Sequence, residues 1–396
     1  MSRPATTTDP RSALLGVYKP ADPLFVRGDG ASLVDSDGRR YLDFTSGIAV
    51  TALGHGHPRI REAVEGALDQ GMVHTSNLYR TRPGEELAAR LAELSGLDRV
   101  FFCNSGGEAV EGALKFARRW ARTKGGSAKH GFVSLKGAFH GRLFGSLALT
   151  DRPEYQEPFQ PLMPGVRFVD PEDPEALDGV DPQAVAALVA EPIQGEGGVR
   201  PLPEKVLRRL REWTEANDVL LVLDEIQCGL GRTGEFFAYQ ASGILPDILT
   251  LAKPLAGGLP MGAVVMTEEV AETIQPGDHG TTFGGGPLVS AVARAVVDTV
   301  AAPDFLEEVQ EKGQLLHRLL QDLQSRHSGQ VQELRGRGLM WGVELTGQAG
   351  PVVEKAREAG LLLVPAGKKV VRLLPPLTVT THELERGVGI MGSSLA

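Results

Sequence analysis

Four short segments set chemically capable residues at the ends of apolar runs. Lys253 closes DILTLA and is followed by Pro254 and the pair Gly257-Gly258. A lysine partly desolvated at a strand end loses proton affinity and becomes a nucleophilic amine able to form a Schiff base; a lysine snorkelling to the surface is the other reading. Asp224, with Glu225 beside it, follows VLLVL. A carboxylate there needs a positive or hydrogen-bonding partner, and a metal, a base's proton, a protonated ring nitrogen or an ordinary salt bridge all qualify. Asn104-Ser105-Gly106-Gly107 separates RVFFC from EAVEGALKFARRW. Its glycines and the free N–H groups of a helix start suit a phosphate, although such a segment also serves as a plain helix cap. Phe139-His140-Gly141-Arg142 follows FVSL and offers an aromatic face and an arginine fork able to grip a carboxylate.

Taken together, a phosphate nest, a strand-end acid, a strand-end lysine and an aromatic face are the four provisions that pyridoxal 5'-phosphate requires. Other constellations are thinner. His55 and His57 in GHGHP lack a nearby acid or cysteine, so that segment reads as a turn and no metal site is expected. Neither GxxxxGK[ST] nor GxSxG occurs, which removes the nucleotide P-loop and the commonest hydrolase elbow.

The elements that position these segments are read from periodicity. Leu24 to Phe44 alternates as short strands with Gly/Asp turns, an antiparallel meander, after a frayed stretch over residues 1 to about 15. Helical patterns cover 58–70, 84–95, 108–122, 203–216 and 304–325, with others from 288 and at 351–359; apolar strands are expected at 99–103, 131–135, 185–190, 219–223 and 247–252. The runs AVAALVA, VLLVL and DILTLA lack polar alternation, the mark of strands covered on both faces of a parallel sheet. LMWGVELT and VVRLLPPLTV add strands to an α+β tail. The fold class is therefore α/β, with a large domain over 58–290 built on a mainly parallel sheet between helices. A smaller α+β domain covers 291–396, and the N-terminal segment 1–57 packs with it.

With 396 residues, the chain can bury a deep core unaided. Its charge is −9, from 41 basic and 50 acidic residues spread along the chain, so nucleic acid and anionic membrane are not expected partners. Cys103 and Cys228 form no CxxC or zinc spacing, which suggests a reducing compartment. The N-terminus lacks an apolar signal core, and no run approaches the roughly 20 apolar residues of a membrane span. A soluble cytoplasmic protein is expected.

Over nearly all of residues 20 to 385 the sequence resembles the class III, fold type I pyridoxal-phosphate aminotransferases, most closely their acetylornithine branch. The blocks that carry the resemblance are GIAVTALGHGHP, HTSNLY, RVFFCNSGGEAVEGALKFAR, AFHGR, EPIQGEGG, LVLDEIQCGLGRTG, PDILTLAKPLAGGLP, HGTTFGGGPL and VVRLLPPLTV. The resemblance implies that Lys253 bears the cofactor as a Schiff base and shuttles the substrate proton. It implies that Asp224 keeps the pyridine nitrogen protonated, that Gln227 lies near the phenolic oxygen and that Phe139 stacks on the ring. Ser105, Gly106 and Gly107 would bind the phosphate, completed by Thr282 of a neighbouring subunit in a homodimer with shared sites. Arg142 would take the carboxylate distant from the reacting carbon and Arg372 the α-carboxylate of glutamate. Glu196 would cover Arg372 while a terminal amine is the donor, Glu191 would position its neighbours, and Tyr18 would lie near the substrate mouth.

The implied reaction moves the terminal amino group of N-acetylornithine to 2-oxoglutarate in arginine biosynthesis. The alternatives in the same class are a lysine-pathway enzyme whose substrate rides on an acidic carrier protein, and ornithine, 4-aminobutyrate or succinylornithine transaminases. A glutamate-1-semialdehyde-type aminomutase stands for a different class. Three positions depart from the family pattern: Gly286 replaces Asn before Pro287, Gly107 replaces Thr or Ala, and Pro254 should bias Lys253 towards an extended backbone.

Overall fold

Four strands that show no alternation in the sequence, Gly131–Leu135, Val185–Ala190, Leu220–Asp224 and Ile248–Leu251, are buried along their whole length. They form the middle of a seven-stranded sheet ordered Arg99–Cys103, Gly262–Met266, Ile248–Leu251, Leu220–Asp224, Val185–Ala190, Gly131–Leu135, Val166–Val169. The computed structural model describes residues 13–173 and 175–395, so residues 1–12 of the stretch expected to fray lie outside the described residues. All neighbours in the sheet are parallel except Gly262–Met266, which runs antiparallel to both strands beside it.

Alternation reappears in which layer each side chain enters. Leu221, Leu223, Leu188 and Ala190 join one apolar cluster with Leu87 and Leu91 of helix Arg82–Ser95, Leu207 and Leu210 of helix Glu204–Ala216, and Val296 of helix Pro287–Val300. Leu220, Val222, Ala187 and Val189 join another with Val110, Ala113, Ala117 and Trp120 of helix Gly106–Gly125. The period of two is intact, but both faces are apolar because both are roofed by helices.

Outside this sandwich, Phe25–Asp29, Ser32–Asp35 and Arg40–Asp43 form the antiparallel meander, and Leu361–Leu362 pairs with its last strand in parallel. Val331–Arg337, Met340–Leu345, Val370–Leu373 and Val364–Ala366 make a second antiparallel sheet. Arg232 ties this region to the central unit: its buried guanidinium donates to the carbonyls of Leu339 and Pro375, and burial pushes its pKa down to about 9.

Several elements had no sequence signal, the edge strand Val166–Val169 among them, and two show why. Gly262–Met266 is a five-residue run after a glycine-rich segment. Helix Thr381–Leu395 contains Gly387, Gly389 and Gly392, which lower its propensity. Packing explains Gly387, since a Cβ there would lie 2.4 Å from the Phe44 ring. Leu188→Ala, at a wholly buried site in the central sheet, is expected to cost about 2–5 kcal/mol, measured as a lower urea midpoint.

Candidate active site

The carboxyl ends of the parallel strands open into a cavity of about 330 Å³ lined by Ser105, Gly106, Gly107, Phe139, Glu191, Glu196, Asp224, Gln227 and Lys253. Segments spread over 149 residues of sequence thus meet at one place, where strand ends in such sheets bind ligands.

At one wall, Ser105 caps the 20-residue helix Gly106–Gly125, its Oγ accepting the Glu108 N–H at 3.2 Å. The first-turn N–H groups have no acceptor within the helix, so those of Gly106 and Gly107 remain available to an anion, with the helix dipole behind them. A Cβ on Gly106 would come within 3.0 Å of Ile226, so the glycine keeps this corner open. At Gly107 a Cβ would sit 3.3 Å from Leu143, so the departure from the family pattern is a small loss of volume. At Gly286, the N-cap of helix Pro287–Val300, no side chain accepts a hydrogen bond.

Elsewhere in the lining, Asp224 ends the central strand. Its Oδ1 accepts the Ile226 N–H at 3.1 Å, and its Oδ2 lies 2.7 Å from Nδ1 of His140, which is wholly buried. Burial alone would depress the imidazole pKa, but the hydrogen bond to Asp224 and the charges of Asp224 and Glu191 prevail and raise it. His140 Nε2 is buried with no partner among the described residues. Glu191 accepts the N–H groups of Phe139 and Gly195 at 2.9 and 3.1 Å, and burial pushes its carboxyl up to about 7.

Lys253 is half-buried and lines the cavity. Burial lowers its pKa, against the opposing pull of Glu196, which favours the neutral, nucleophilic amine. Its backbone is not extended, contrary to what Pro254 suggested. It has φ of 20° and begins the 3₁₀ turn Lys253–Ala256, whose closure is fixed by Leu255 N–H donating to Ala252 O at 2.7 Å and by Gly257 at φ 58°. The turn overrides the local preference, and a strained residue at such a site is the kind of outlier that function sustains.

Arg372, from strand Val370–Leu373, donates through Nη1 to Glu196 Oε1 at 2.6 Å and to Gln227 Oε1 at 2.8 Å; it is 1 % exposed. Burial would raise the Glu196 carboxyl, but the charge and hydrogen bond of Arg372 hold it below its usual range. Arg372 Nε is buried without a partner among the described residues. Gln227 lines the cavity with its amide engaged by this arginine.

The structure leaves four expected residues outside the cavity lining: Arg372, which lies behind Glu196 and Gln227, and three others. Arg142 lies at the surface, over the ring of Tyr155. Thr282 is exposed in a separate groove with Phe101, Asn104 and Leu143. Tyr18 is 83 % exposed. Sequence reasoning assigned no role to His140, although it stands in the quoted FHGR block; its contact with Asp224 spans 84 residues, a separation no local pattern reveals. It also missed Arg152, whose Nη2 donates to the Glu196 carbonyl at 2.9 Å.

A family model, Aminotransferase class-III, matches residues 18–395. The chain belongs to the class-III aminotransferases. It is a pyridoxal-phosphate-dependent transaminase. Among curated relatives it is 43 % identical to the acetylornithine aminotransferase of Methanocaldococcus jannaschii, over 94 % of this chain and 93 % of that protein. Among solved structures, the ornithine aminotransferase of Toxoplasma gondii ME49 superposes with a TM-score of 0.92 at 32 % identity, covering 97 % of this chain and 93 % of that one. The N-acetylornithine aminotransferase of Stenotrophomonas maltophilia K279a gives 0.83 at 36 % identity, covering 95 % and 96 %. The residues present fit the family's cofactor: an anion-ready helix start, a buried amine and a carboxylate backed by a buried imidazole converge on one cavity of suitable chemistry.

Next to Asp224, Glu225 faces away from this chemistry and accepts the N–H groups of Ala238 and Tyr239, each at 2.8 Å. Burial outweighs those bonds and pushes its carboxyl up to about 8. The folded chain therefore keeps a proton that an unfolded glutamate releases above about pH 4.3. Between those limits the native state binds more protons, so stability falls as pH rises, by at most about 1.4 kcal/mol per pH unit from this group. Glu225→Gln, which does not titrate, is expected to reduce that slope between about pH 5 and 8, read from urea midpoints across the range.

Proposed function

We propose that this transaminase moves the terminal amino group of N-acetylornithine to 2-oxoglutarate, giving N-acetylglutamate 5-semialdehyde and glutamate, as a step of arginine biosynthesis in the cytoplasm. The observation that carries this reading is the Glu196–Arg372 pair beside Lys253. It is a carboxylate-binding arginine already covered by a carboxylate, as required where one site serves both a donor with a terminal amine and glutamate. The naming of the curated relatives supports the same donor.

When bound, the cofactor supplies an electrophilic carbon for the amine and an electron sink for the carbon that bears it. Ser105 and the N–H groups of Gly106 and Gly107 would hold its phosphate, Phe139 would pack on its ring, and Gln227 would lie near its oxygen. Asp224, oriented by His140, presents a carboxylate that holds a proton on the ring nitrogen. Lys253 Nζ, made less basic by burial, would hold the cofactor between turnovers and would be the base that moves the proton from the substrate carbon and back. Glu191 fixes the Phe139 backbone through the N–H it accepts. Arg142 takes the carboxylate far from the reacting amine. Glu196 neutralises Arg372 during the first half-reaction and withdraws when glutamate or 2-oxoglutarate needs its fork.

The active unit is a homodimer in which Thr282 completes the partner's phosphate site. In support, the surface around Thr282 exposes Leu78, Tyr79 and Phe283, and Asn77 Nδ2 donates to Thr281 O at 2.8 Å, holding the two segments together. Exposed apolar side chains in one patch are the usual mark of a subunit contact.

The test is single-turnover absorbance spectroscopy of the purified holoenzyme with each half-reaction separated. N-acetylornithine should convert the visible spectrum and 2-oxoglutarate should restore it, whereas Lys253→Ala should lose at least about 100-fold in rate. Glu196→Ala should preserve the glutamate half-reaction while lowering the preference for N-acetylornithine over glutamate by about 1–3 kcal/mol. Arg372→Ala should impair 2-oxoglutarate turnover more than deamination of the donor. Equal losses in both halves for both variants would show a merely structural ion pair.

A further inference from the structure

Arg142 has an unusual environment for a residue assigned to bind an anion. Its guanidinium carbon lies 3.6 Å from the centroid of the Tyr155 ring and 5.8 Å from that of Phe139. It makes no hydrogen bond or ion pair with any described residue. At 3.6 Å the guanidinium rests on the ring face, an arrangement that satisfies its charge through the π cloud and leaves the in-plane N–H fork unspent. An arginine near the surface without such a support samples many rotamers and must be ordered by each ligand it binds.

The support is itself fastened. Tyr155 lies half-buried in the single turn Pro153–Gln156, and its N–H donates to Arg152 O at 2.9 Å. Gln156 Nε2 donates to the carbonyls of Leu147 and Thr150 at 3.1 and 2.8 Å. Asp151 Oδ2 accepts the Gly137 N–H at 2.7 Å, just before Phe139, and Arg152 Nη2 reaches the Glu196 carbonyl. One six-residue stretch, 151–156, is therefore bonded to the segment leading to Phe139, to the Glu196 backbone and, through the ring of Tyr155, to Arg142.

We propose that Tyr155 is a positioning residue for substrate specificity: its ring presets the Arg142 fork, and so tightens binding of amino donors that carry a carboxylate at the end remote from the reacting amine. The proposal rests on the reading of Arg142 as the arginine for that carboxylate. The ring face is what acts, so the phenolic hydroxyl, for which no hydrogen bond is present among the described residues, is dispensable.

The experiment compares two donors in the donor half-reaction of the holoenzyme, so that no acceptor intervenes: N-acetylornithine, and its decarboxylated analogue, mono-N-acetyl-1,4-diaminobutane. Tyr155→Leu should weaken apparent binding of N-acetylornithine by about 3- to 30-fold, the range of one cation–π contact. The limiting rate should be unchanged, and so should binding of the analogue. Tyr155→Phe should restore wild-type behaviour. Tyr155→Met replaces the leucine variant if that variant fails to fold. Equal weakening of both donors, no weakening of either, or a phenylalanine variant as impaired as the leucine one would each overturn the proposal. Arg142→Gln is measured alongside. If it discriminates between the donors while Tyr155→Leu does not, only the role of Tyr155 falls; if it treats both donors alike, the assignment of Arg142 fails and the proposal with it.

Discussion

Asp224 ends a strand with no exposed residue, and a carboxylate in that position must be compensated by groups the fold supplies. Much of the surrounding architecture serves this need. His140 comes from a loop 84 residues earlier to place Nδ1 against one oxygen, and the Ile226 N–H takes the other. Glu191 then lies close enough to add its charge to both, and its own carboxyl is pushed up to about 7 so that the cluster avoids a surplus of buried negative charge. The loop that carries both Glu191 and Glu196 turns sharply just after Glu196, with Gly198 at φ 102° and Val199 at φ 52°, a value costly for a β-branched residue.

The cavity has two electrostatic halves. Towards the helix Gly106–Gly125 the field is that of unpaired N–H groups and favours phosphate. Towards strand Val370–Leu373 it is that of a buried guanidinium matched by Glu196 and Gln227. Lys253 lines the same cavity, its amine acted on by opposing charges while burial decides the sign of its shift. Arg372 comes from the C-terminal sheet and Glu196 from a loop at the end of a central strand, so the pair also reports on how these two parts are seated.

How much of this was legible in the sequence depended on the range of the forces involved. Strands covered on both faces announce themselves as unbroken apolar runs: 185–190 is matched to the residue, and 219–223 and 247–252 to within about one residue. The placing of Ser105, Asp224 and Lys253 at strand or helix ends followed directly. Gly262–Met266 was not legible, because an antiparallel strand of five small and apolar residues carries no signal that separates it from a buried turn. The glycine-bearing helix at the C-terminus was hidden because tertiary contact with Phe44 overrides local propensity. The 3₁₀ turn at Lys253 went against the rule for residues preceding proline because its closing bonds are stronger than that local bias. Arg152 and His140 act through contacts 44 and 84 residues apart, and Tyr155 through a ring contact with Arg142, none of which periodicity encodes.

The parallel pairing of Leu361 with Leu42 has a consequence for synthesis. The meander Phe25–Asp43 is complete early, yet the strand that covers its edge is 319 residues away. At roughly 5–20 residues per second, the ribosome needs about 16–64 s to supply it. During that interval the edge of Arg40–Asp43 is an open ladder of N–H and C=O groups of the kind that pairs with other chains. The nascent protein thus carries an adhesive strand until residue 362 has been made. Segments more than 300 residues apart meet in one sheet, and the meander is covered only when the second of them emerges.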